Sequence, residues 1–180
     1  MPRPVPHLLA LLTASFALAL TGNAAAQQEP APLDLATYPR TELTITQAKP
    51  PAVHEFRVWV ADTEPRAQQG LMFVRDLPES EGMIFPLEPP RVETMWMKNT
   101  YVELDMLFIG ENGAIDQIIE HARPLSLDII NSEKTLSAVL EIKGGEASRL
   151  QLKVGDHVDW TPPEGCDCTA PEPEKPKTTK

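Results

Sequence analysis

The sequence predicts a compact, β-rich α+β domain: roughly seven to eight short, mostly antiparallel strands arranged like a barrel, with two short helices. Two observations carry that prediction. Short runs such as "ELTITQ" and "HEFRVWVAD" alternate apolar and polar residues with the period of two that half-buried strands require, and two further β-compatible runs flank Asn112-Gly113, a pair suited to a tight hairpin. Only "TEPRAQQGLM" and "GGEASRLQL" switch to a helical period, and no internal repeat is present.

The elements follow in order. Glu42 to Gln47 and His54 to Asp62 form two strands joined through "AKPPA". A short helix follows, with Thr63 as its cap, Pro65 in its first turn and Gly70 near its stop. Beyond the polar loop "RDLPESE", the runs "GMIFPL" and "VETMWMK" return to β character. "ELDMLFIGENGAIDQIIEHA" is the hairpin, "TLSAVLEIK" a further strand in which Glu141 is expected to alternate outward, and "VGDHVDW" the closing strand. Gly144-Gly145 ahead of the second helix could cradle an anion, but Glu146 follows at once with a negative charge of its own, which favours a turn-and-cap role.

The ends differ in character. Residues 1–26 carry Arg3, an apolar stretch from Leu8 to Leu20 and the small residues Ala24-Ala25-Ala26, the layout of a secretory signal peptide cleaved before Gln27. The apolar stretch is too short for a membrane span, so the expectation is a chain exported to the periplasm or secreted, monomeric and without a stable membrane anchor. Residues 27–40 read as a Pro- and Ala-rich linker, 41–160 as the domain, and 161–180 as a disordered Pro/Lys/Glu tail. Cys166 and Cys168 stand in that tail, where a bridge would close almost no loop, so the core has to hold without it.

Twenty-six acids against 16 basic residues give a formal charge of −10, and removal of Arg3 with the leader takes this to −11. Such a chain repels nucleic acid and anionic membrane surfaces, leaving small molecules, cations or other proteins as partners.

Six blocks, "QGLMFVRDLPE", "GMIFPL", "MWMKNTYVELDMLFI", "ARPLSLD", "AVLEIKGGEASRL" and "KVGDHV", occur in an order that closely resembles the prokaryotic family called domain of unknown function 192. The resemblance spans nearly all of the domain but not the cysteine tail. It implies a small β-rich domain, often exported, with no established activity.

The residues themselves suggest where chemistry lies. In "TMWMKNTYVELDML" the carboxylate of Asp105 has apolar neighbours, which a bare charge cannot tolerate. Backbone N–H groups, Lys98 or Arg75 are its candidate partners, and that structural role is the simplest account. The functional alternative gathers Arg75, Trp96, Lys98, Asn99 and Asp105 on one polar face that binds a small ligand or a protein, without catalysis and without a cofactor. Two other classes compete. An enzyme would use Asp105 or His121 as acid–base, with Glu120-His121 the one adjacent acid and base; no HExxH or G-x-S-x-G pattern is present. A copper(I)-handling module would use the thioethers of Met95 and Met97, completed by His54 or His121, although methionines spaced like these ordinarily fill a core. Asp62, Asp76, Asp116 and Asp128 are too scattered to form a hard-metal site.

Overall fold

The computed structural model describes residues 31–166 and 168; the expected signal peptide, the first residues of the linker and most of the tail lie outside them. Among the described residues, nine strands and two α-helices follow a single 3-10 turn at Leu35–Thr37. The strands are β1 (Arg40–Ala48), β2 (Pro51–Val60), β3 (Glu81–Arg91), β4 (Thr94–Met95), β5 (Leu104–Ile109), β6 (Ile115–Ala122), β7 (Ile130–Asn131), β8 (Leu136–Lys143) and β9 (His157–Trp160). Helix α1 is Glu64–Gln69 and α2 is Glu146–Leu150. The expected α+β class and both helices are therefore present.

Seven strands form one sheet in the order β6-β5-β8-β3-β2-β1-β9, antiparallel except where β3 lies parallel to β2, and β4 pairs separately with β7. The parallel step follows from α1: residues 61–80 carry the chain back to the starting end of β2, the return that a parallel neighbour needs. The sheet curls until its edge strands meet, but only at an isolated bridge between Ala114 and His157, backed by Ile115 N–H to Asp156 C=O and Val158 N–H to Gly113 C=O, both 2.8 Å. It is thus a bent open sheet rather than the barrel-like closure the strand count suggested, because β9 has four residues and runs out after one contact.

Curvature gives the sheet two buried faces. One core, with Leu43, Ile45, Phe56, Val58, Leu107, Leu140 and Trp160, fills the concave side. The second, with Leu71, Leu77, Met83, Phe85, Met97, Met106 and Phe108, lies between the other face of β3, β5 and β8 and a covering layer built from residues 61–78, 94–102 and 122–136. Strand β5 is buried at every position and β8 at all but its last. The alternation argument for Glu141 fails for this reason: a central strand covered on both sides has no outward face, and Glu141 is buried. "VETMWMK" also shortens to a two-residue strand, since the chain turns at Lys98-Asn99 and Asn99 takes a left-handed conformation (φ 57°).

The cysteines pair with each other, and both sulfurs pack partly against the concave core beside the end of β9. Among the described residues no helix is long and apolar enough to cross a membrane.

Candidate functional site

Asp105 is fully buried, and three backbone amides meet it: His121 N–H (2.8 Å) and Gly145 N–H (3.1 Å) on one oxygen, Ala147 N–H (2.8 Å) on the other. An ionised carboxylate with three donors needs no ammonium partner. The glycine turn does hold an anion, then, but the anion is Asp105 from a strand 40 residues earlier. Glu146 turns instead to Ser80 N–H (2.9 Å) and Arg149 (2.8 Å). Neither Lys98 nor Arg75 contacts Asp105; each lies on an aromatic ring instead. The three bonds of Asp105 tie β5, the end of β6 and the first turn of α2 together, and they hold His121 in a left-handed backbone (φ 55°).

The other four residues of the expected face lie at the surface on neighbouring chain segments. The guanidinium of Arg75 lies 4.5 Å from the ring centre of Tyr101, and the Lys98 ammonium 5.4 Å from that of Trp96. Backbone bonds set three chain segments side by side: Phe73 N–H to Asn99 C=O (2.9 Å), Leu125 N–H to Thr100 C=O (3.1 Å) and Met97 N–H to Ser126 C=O (3.2 Å). The β4–β7 pair continues the seam, with Met95 opposite Ile130. These adjoining segments expose Phe73, Trp96 (45% exposed), Tyr101, Leu125, Leu127 and Ile129, with the two cations on the rings of Tyr101 and Trp96. Phe73 and Leu125, like Asn99, sit in left-handed backbone (φ 69° and 61°), which bulky residues occupy only when their surroundings hold them there. Tyr101, Phe73 and Leu125 were not expected from the sequence. Their signal was available only as three separate turns, because what joins them is backbone hydrogen bonding between segments far apart in the chain.

Neither Arg75 nor Lys98 forms an ion pair among the described residues, although acids outnumber bases. Most other arginines do, as in Arg66–Asp62 and Arg40–Glu81 (3.0 Å).

His121 lies along the same stretch of chain as Leu125. Its Nδ1 contacts Glu103 at 2.8 Å, and that hydrogen bond, with the attraction of the carboxylate, raises its pKa. The neighbouring Glu120 does not orient His121 but accepts from the Ser148 hydroxyl. Gly144 packs on Glu103 and Gly145 on His121 so closely that a methyl group at Gly144 would strike the Glu103 side chain. Asp105 has no accessible atom with which to exchange a proton with a substrate, so of the two expected acid–base residues only His121 is placed for that role. His54 bonds Gln47 (3.0 Å) in the β1–β2 hairpin, and His121 bonds Glu103, so neither stands as a ligand beside Met95 and Met97. Met97 is buried and Met95 half-buried in the second core. Among the described residues no group of three or more His, Cys, Asp or Glu side chains is arranged to hold a metal ion.

Comparison with known proteins gives the geometry its context. The family model described as "Uncharacterized ACR", domain of unknown function 192, matches residues 44–160. A Novosphingobium aromaticivorans DSM 12444 protein of unknown function is 36% identical with a TM-score of 0.68, covering 78% of this chain and 99% of its own. A Sinorhizobium meliloti 1021 protein, described provisionally as a transcription regulator, is 36% identical with a TM-score of 0.67, covering 68% of this chain and 95% of its own. No curated protein matches.

Proposed function

The chain belongs to the domain of unknown function 192 family, and on that footing we propose that it is an exported recognition domain, not an enzyme, which binds an anionic, partly apolar partner through the face of Phe73, Arg75, Trp96, Lys98, Asn99, Tyr101 and Leu125. The observation that carries this reading is the pair of cations laid on exposed aromatic rings with no acid among the described residues to neutralise either one. A cation kept by a ring retains its donors for an incoming carboxylate or phosphate, while the ring offers apolar contact. The strained backbone at Phe73, Asn99 and Leu125 supports the same reading, since strain is retained where a surface has to be held in one shape. Export rests on the signal-like leader. The provisional description of the Sinorhizobium protein as a transcription regulator is not carried over to this chain.

The test uses anilinonaphthalene sulfonate, an anion with an aromatic body, as the probe. It should bind at one site with energy transfer from Trp96, and Arg75→Ala with Lys98→Ala should weaken it by about tenfold, the equivalent of two modest cation contacts. Binding that is unchanged in the double variant and in Trp96→Ala would sink the proposal.

A further inference from the structure

The second core holds a polar group that neither the fold nor the recognition face uses. Glu141 is 4% exposed, and its carboxyl makes no hydrogen bond or ion pair with any described residue. It nevertheless is not sealed: its oxygens are absent from the unpaired side-chain atoms that solvent does not reach at all. On the two adjoining strands its register partners are Met83 of β3 and Met106 of β5, so the three side chains share one face of the sheet. Partners directly opposite on neighbouring strands have Cβ atoms about 5 Å apart, within the reach of thioether and carboxyl arms. Met97 and Met95 pack on the same core from the covering layer. Four of the six methionines thus converge on the core that contains the one buried carboxyl without a partner among the described residues.

We propose that the thioethers of Met83 and Met106, with the Glu141 carboxylate between them, form a buried site for a soft monovalent cation, copper(I), which Met97 completes from the covering layer. Thioethers select soft cations and leave hard divalent ions to oxygen sites. A single positive charge also supplies the partner that Glu141 lacks. The exchange balances: copper(I) enters, the carboxyl proton leaves to solvent, and no electron moves. The charged groups nearest that face are Lys143 and Glu81, the next outward positions on β8 and β3, and Lys98 in the covering layer, where it is held over Trp96. Residues 94–97 are held by the two-residue β4–β7 ladder and by the backbone bonds Met97 N–H to Ser126 C=O (3.2 Å) and Thr100 N–H to Met97 C=O (3.1 Å), all outside the seven-stranded sheet, so entry by lifting this segment leaves that sheet intact. The site differs from the Met95–Met97 pair considered from the sequence, in which both ligands came from one strand; here the principal ligands come from two central strands.

The full chain, with Cys166–Cys168 oxidised, would be titrated against the copper(I)–bicinchoninate complex in ascorbate. One copper(I) per chain should be withdrawn from the chromophore, and the ε-methyl resonances of Met83 and Met106 should move while that of Met72 stays. Met83→Leu with Met106→Leu, which preserves side-chain volume, should weaken retention by at least about 100-fold, and Glu141→Gln by about tenfold. Cys166→Ser with Cys168→Ser should leave it unchanged. No withdrawal of copper, retention unaffected by the double methionine variant, loss in the cysteine variant, or unmoved Met83 and Met106 methyls in the parent would each overturn the proposal; the last holds even if a variant fails to fold.

Discussion

Replacing Glu141 by glutamine should flatten the dependence of stability on pH. Burial raises the Glu141 pKa from 4.5 to about 8, with no neighbouring charge among the causes. The unfolded chain loses this proton near the ordinary value, whereas the folded chain keeps it until about pH 8. Between those limits the folded state binds more protons, so its stability is fully present below pH 4.5 and falls as pH rises, levelling off above about pH 8. At about 1.4 kcal/mol per unit, a displacement of this size removes roughly 5 kcal/mol across the window, about 3 of it by neutrality. Urea melts of parent and Glu141→Gln at pH 5, 6, 7, 8 and 9 measure the two slopes directly. His121, whose pKa is also raised, gives both proteins a smaller fall in the same direction, so the difference between slopes isolates Glu141. The substituted side chain is still a buried amide without a partner, which makes the slope, and not the absolute stability, the informative quantity. If both proteins lose stability equally from pH 5 to 8, the carboxyl is ionised throughout and the account of that core is wrong.

Asp105→Asn should cost about 2–4 kcal/mol, since the new amide group faces one of the three N–H donors with a donor of its own, and the His121, Gly145 and Ala147 amides should exchange hydrogen faster; Lys98→Met should add to this independently, and coupling between the two would contradict the observed contacts. In a proton NMR titration of His121, Glu103→Gln should bring the pKa down toward the ordinary histidine value, and an unmoved midpoint would show that the pair does not form in solution. Gly82→Ala should destabilise by about 3 kcal/mol or more in denaturant melts, because the new methyl meets the Glu141 carbonyl between two central strands; a neutral result would refute that packing. Trp96→Ala and Tyr101→Ala should leave melting nearly unchanged, as expected of a surface kept for contact rather than for the core.

Local features carried their own evidence in the sequence. The hairpin around Asn112-Gly113 follows from turn chemistry, α1 from the Pro65 and Gly70 punctuation, and the β1–β2 pair from alternation, all of which act within a few residues. The isolation of Asp105 among apolar residues was likewise legible, and it required some partner. Which partner was settled by distance through space. The amides that receive Asp105 lie 16 to 42 residues away, and backbone N–H groups carry no residue identity for a sequence to display. Glu141 shows the same limit from the other side: its alternation in "VLEIK" is ordinary, and only the place of β8, third in the sheet with cores on both faces, turns that position inward. The surface of Phe73, Tyr101 and Leu125 arose in the same way, from three turns whose left-handed residues are stabilised by one another's backbones. Periods, turns and the need for a buried counterpart to Asp105 are thus properties of the chain read locally. Which distant groups meet was decided by the folded sheet alone, because pairing across it depends on the order of its strands, which no local pattern encodes.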